Sequence, residues 1–96
     1  MRELKLSRRA DADLADIADF TIANFGTAQA RLYRDQLRAC FASLCDNPLL
    51  GRSAEDLAPG LRRVRQQAHV VFYVADANQV LIVRVLHHKM DFERHL

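Results

Sequence analysis

The 96-residue chain has only three Gly and two Pro, and half of its residues are hydrophobic, which excludes an intrinsically disordered segment or a low-complexity linker. Cysteine is equally scarce. Cys40 and Cys45 are the only two, and five residues apart on a helix their Cα atoms would be separated by about 8 to 9 Å, beyond disulfide reach. They are expected to be small buried hydrophobes in a reducing compartment. No apolar run approaches the roughly 18 residues that a membrane-spanning helix requires, and no apolar signal core follows the basic residues at the N-terminus. A cytoplasmic location is the expectation. Large charge of either sign is missing too. The formal net charge is +2, with six Lys/Arg against three Asp/Glu in residues 61–96 and a sum of −1 in residues 1–60. That local surplus suits an acidic partner but is too small to identify nucleic acid. A chain of this length buries roughly two thirds of its unfolded surface, so one domain over residues 1–96 is expected.

What is present is organised around a hairpin. Ala68–Ala75 and Val80–Leu86 are apolar runs rich in β-branched and aromatic residues, separated by the polar turn Asp76-Ala77-Asn78-Gln79. Both are apolar at odd and even positions, so both sheet faces should be covered over much of their length. Arg84 interrupts the second run, where a guanidinium needs water or a carboxylate.

Before the hairpin, Glu3-Leu4-Lys5-Leu6-Ser7 alternates like a short strand, and Ser7 is placed to cap a helix. Ala10, Leu14, Ile17, Ala18, Thr21 and Phe25 then form one helical stripe, while Asp11, Asp13, Asp16 and Asp19 fall largely off it and are expected on a solvated face. Gly26 ends this helix and Thr27 can cap the next, forcing an antiparallel helical hairpin. Ala30, Tyr33, Leu37, Cys40, Phe41 and Leu44 form the second stripe, and Arg31, Arg34 and Arg38 make a basic ridge. Phe20, Phe25 and Phe41 are expected to pack between elements. Asp46-Asn47-Pro48 stops the helix, residues 49–60 form the one long loop, and Leu61–Arg65 reads as a thin strand. Arg63 and Arg65 share a face of it, and Arg84 joins them in a positive patch if the register allows. Phe72 and Tyr73, adjacent on a strand, point to opposite faces; Tyr73 is assigned to the open one. The sum is an α+β fold of order β-α-α-β-β-β, with the helical hairpin on one face of a mainly antiparallel sheet. The neighbour of the first strand does not follow from periodicity.

In that order and length the chain resembles the ParE-type toxins of the RelE/ParE superfamily of bacterial toxin–antitoxin systems. The resemblance is carried by Leu6-Ser7, Ala10, Asp13-Leu14, Ile17, Phe25-Gly26, Ala30, Tyr33 and Leu37, and continues through Asn47-Pro48, Gly51-Arg52 and Pro59-Gly60-Leu61-Arg62. It ends with His69-Val70-Val71-Phe72-Tyr73, Arg84-Val85-Leu86-His87 and Met90-Asp91. It implies a toxin that inhibits DNA gyrase by protein–protein binding, neutralised in a hetero-oligomer by a ParD-like ribbon-helix-helix antitoxin through which any DNA contact is made. No cofactor is implied.

Within that framework Arg63, Arg65, Tyr73 and Arg84 are expected to bind the antitoxin, and the tail residues His87, His88, Lys89, Met90, Asp91, Phe92 and Arg94 to contact the target. The alternative is a ribosome-dependent mRNA endonuclease of the RelE type, in which His87 or His88 would move protons and Arg63, Arg65 and Arg84 would hold phosphate charge. The tail lacks the tyrosine, and the sheet the lysines, usual in those nucleases. His88, Asp91 and His95 would share a face of a helical tail, yet solvated histidines in a frayed terminus are preferred to a metal site.

Overall fold

A computed structural model describes residues 1–96. The elements are β1 (Glu3–Leu6), α1 (Arg8–Phe25), α2 (Thr27–Asp46), β2 (Arg52–Ser53), β3 (Arg62–Gln66), β4 (His69–Ala75), β5 (Gln79–His87) and α3 (Phe92–His95). Two are additions to the expected order: the two-residue β2 in the long loop and the four-residue α3 in the tail. Neither is long enough to leave a periodic signal.

The strands form one sheet in the order β1-β5-β4-β3-β2. The β4–β5 and β3–β4 pairs are antiparallel hairpins, whereas β1 lies parallel to β5, with Glu3 opposite Gln79 and Leu6 opposite Ile82. A parallel neighbour needs a long crossover, and the two helices supply it. Ser7 fixes the entry of α1 onto this seam: its hydroxyl donates to the Val83 carbonyl at 2.6 Å and accepts from the Ala10 N–H at 3.0 Å. Gly26, at φ 89°, both closes α1 and precedes α2. Thr27 is therefore the first residue of α2 rather than its cap, and no side chain caps that end.

Between Phe72 and Tyr73 the β4–β5 register shifts, so that Phe72 opposes Arg84 and Tyr73 opposes Ile82, leaving Val83 as the extra residue. The shift resets the alternation. Ile82 and Val85, three apart, both join the core beneath the helices with Tyr33, Leu37, Phe41, Leu44, Val71, Tyr73 and Val80. Each such side chain contributes about 1.5–3 kcal/mol of burial. Val70, Phe72 and Leu86 face the other way, under Ala54, Leu57, Ala58 and Leu61 of the long loop and under Phe92 and Leu96 of the tail. Both sheet faces are thus covered by the chain itself.

Two expectations are corrected here. Tyr73 is not on an open face: it is fully buried, and its hydroxyl donates to the Pro48 carbonyl at 2.6 Å and accepts from the Gly51 N–H at 3.0 Å. Gly51 is required because a Cβ there would meet the Tyr73 hydroxyl at 2.5 Å. The tail is also not frayed, since Phe92 stands edge-on to Phe72 with ring centres 4.9 Å apart.

Candidate functional site

Apolar surface is left open on the helical hairpin. Of α1 only Ala10 and Thr21 are buried, while Phe25 is 67% and Phe20 64% exposed, joined by Ile22 and Leu32. Phe20 and Phe25 therefore do not pack between elements as expected, whereas Phe41 does. A groove of about 630 Å³ lies between the outer half of α1, the start of α2 and the ends of β4 and β5. Phe20 and Phe25 form one lip, Met90 and His87 the other, and Val85 and Leu86 part of the lining.

Polar groups also line the groove, among them Asp13, Asp16, Gln29 and His69. Tyr33 reaches up from α2 to donate its hydroxyl to the Gln66 carbonyl at 2.9 Å, with His69 Nδ1 2.6 Å away. A hydroxyl has one proton, so satisfying both contacts requires Nδ1–H of His69 to donate to Tyr33, which leaves Nε2 as an acceptor. Burial, and then the neighbouring His87 and His88, hold His69 down at about 4 against a partial pull from Asp13. His69 is consequently neutral near pH 7. His87 meets it edge-on at 5.5 Å and stacks on His88 at 4.6 Å. Partial desolvation, and then the neighbouring Arg65, His87 and Lys89, lower His88 as well.

The expected three-arginine patch is divided. The register does place Arg63 and Arg84 on either side of Phe72. Arg84, however, is only 8% exposed; its Nε and Nη2 each donate to Asp13 at 2.8 Å. Asp13 also accepts the Val85 N–H at 2.9 Å. It is therefore not a member of a solvated acidic face, and Arg84 is not a member of an open basic one. Hydrogen bonding to Asp13 keeps Arg84 firmly protonated. The partner could not be found from helical spacing because a bulged strand 71 residues away supplies it.

What takes the place of that patch lies on the β2–β3 edge. Arg52 opposes Arg63, Arg62 donates to the Gly51 carbonyl, and Arg65 is exposed with Nε on the Gln67 carbonyl at 2.7 Å. None of the four has a carboxylate: the three ion pairs of the chain use Lys5, Arg34 and Arg84. The Nε atoms of Arg62 and Arg63 are buried with no hydrogen-bond partner. Arg52 and Arg62 enter the sequence reading only as parts of the family resemblance, Arg62 also as a residue of the Leu61–Arg65 strand, and neither is assigned there to a basic patch.

The tail residues separate into three groups. His87 and Met90 border the groove, Phe92 is committed to the back of the sheet, and Lys89, Asp91 and Arg94 are exposed, with His88 half-buried beside Lys89.

Against known proteins, residues 4–92 match the family model described as the ParE toxin of the type II toxin–antitoxin system parDE. Toxin ParE1 of Caulobacter vibrioides is 40% identical over 96 residues, covering 100% of this chain and 99% of that protein. Toxin ParE1 of Mycobacterium tuberculosis is 36% identical over 92 residues, covering 95% and 94%. Among solved structures, a chain from a chromosomal ParDE system of P. aeruginosa superposes with a TM-score of 0.77 over 91% of this chain and 96% of its own. At 21% identity that likeness bears on the fold alone.

Proposed function

We propose that this chain, which belongs to the ParE toxin family of parDE type II toxin–antitoxin systems, inhibits DNA gyrase by binding it and is neutralised by a ParD-like ribbon-helix-helix antitoxin. The observation that carries this reading is a pair of unfinished surfaces. One is a groove lined in part by two exposed phenylalanines; the other is a strand edge with four arginines that pair with no carboxylate. An antitoxin segment with an apolar face and acidic residues completes both. Arg63 and Arg65, with Arg52, are its basic contacts, and Tyr73 and Arg84 support that surface from within. Lys89, Met90, Asp91 and Arg94 present the face offered to gyrase, a cytoplasmic target.

The ribonuclease reading loses one of its three phosphate-holding arginines, because Arg84 is already paired with the Asp13 carboxylate, and the relatives that this chain matches are named as ParE toxins. Supercoiling by purified gyrase, run beside mRNA cleavage on translating ribosomes, tests the proposal. Loss of supercoiling with intact mRNA is expected, and cleavage without an effect on gyrase overturns it.

A further inference from the structure

We propose that Asp13 is a positioning residue for the C-terminal segment, acting through Arg84 to clasp residues 91–96 onto the back of the sheet. Its bearing on inhibition rests on the reading above that the tail faces the target. A four-residue helix does not hold itself in water, because so few hydrogen bonds cannot offset the cost of nucleation. Something else must hold α3.

The apolar part of that hold is Phe92 on Phe72, with Leu96 against the same cluster. The polar part converges on one atom. The carbonyl of His95 lies in the last turn, where no later residue can donate to it. Arg84 Nη1 donates to it from β5, and Arg9 Nη2 donates from α1 at 2.9 Å. Two guanidinium groups from distant elements therefore cap α3.

Arg84 can do this only because Asp13 holds it. The side chains of Arg84 and Asp13 are 10% and 12% exposed, and Asp13 takes Nε and Nη2 in a fork. The fork fixes the guanidinium plane and leaves Nη1 aimed at His95. With the carboxylate neutralised, a buried cation loses its partner and turns toward water, taking its bond to the His95 carbonyl with it. Asp13 also lines the groove, so one carboxylate stands at the groove wall and at the root of the tail.

The test is amide exchange by NMR on the full chain. The reporters are the Arg94 and Leu96 N–H groups, bonded to the Asp91 and Phe92 carbonyls, and the proximity of the Phe72 and Phe92 rings. Asp13→Asn is expected to speed exchange of both reporters by at least about tenfold and to weaken the ring contact, while sheet amides at Val71 and Ile82 stay protected. Asp13→Glu, which keeps the charge, restores much of the protection. Arg9→Gln removes one exposed donor that no core packing depends on, so it must fold, and it should loosen the tail by a smaller factor. Unchanged tail exchange in Asp13→Asn overturns the clasp, whatever Arg9→Gln does, as does a uniform loss of protection across the sheet. Gyrase inhibition is read in parallel. A loosened tail with undiminished inhibition leaves the clasp standing and overturns the target-facing role of the tail instead.

Discussion

Three single residues show how local chemistry sets the properties of this chain. His69 has a folded value of about 4 against the ordinary 6.5, so folding favours its neutral form. The stability this contributes is complete above pH 6.5 and is lost as the pH falls toward 4. Denaturant melts at pH 7 and pH 4.5 should therefore differ, and His69→Gln should narrow the difference. An identical pH dependence in the variant would remove His69 as its cause. Tyr73 and Gly51 form a second local system. Tyr73→Phe orphans the buried Gly51 N–H and should cost about 1–3 kcal/mol. Gly51→Ala drives a methyl into the hydroxyl and the Arg63 carbonyl, 2.5 and 2.7 Å away, and should cost a similar ~1–3 kcal/mol. Equilibrium unfolding of both variants checks these values, and wild-type stability in either would contradict the packing described.

At the scale of the elements, the strands and helices were largely legible because their signals are local. The apolar runs gave β4 and β5, Ser7 gave the start of α1, and Asn47-Pro48 gave the end of α2. What could not be read depends on pairing across the chain. The parallel seat of β1 on β5 and the bulge at Phe72/Tyr73 leave no periodic trace. Without the bulge Arg84 looks like a surface cation, and without Arg84 there is no reason to single out Asp13 among four aspartates. The stripe on α1 is legible as a pattern, yet its last member, Phe25, is 67% exposed, and periodicity alone does not say which members of a stripe are covered. That exposed end makes a prediction of its own. Replacing Phe20 and Phe25 together with Ser should change stability by about 0.5 kcal/mol or less, as for surface positions generally. Antitoxin affinity should fall by at least about tenfold, a loss of 1.4 kcal/mol. Thermal melts and isothermal titration separate the two effects, and unaltered affinity would remove the groove from the interface.

For the molecule as a whole, the sheet has no face left to offer, so partners must use its edge, the helical hairpin and the exposed part of the tail. Replacing Arg52, Arg63 and Arg65 with Gln should reduce antitoxin affinity by roughly 5- to 100-fold, about 1–3 kcal/mol for two exposed charges and the half-buried Arg63, and flatten its salt dependence. An unchanged salt slope would place the antitoxin elsewhere. The central claim is inhibition by reversible binding, and it is tested most directly by following gyrase supercoiling while the chain and then its antitoxin are added. Activity should fall as the chain is titrated in and return once the antitoxin equals it in binding sites, with nucleic acid substrates of both assays intact. Supercoiling that never falls, or that stays lost after the antitoxin has bound the chain, would contradict it.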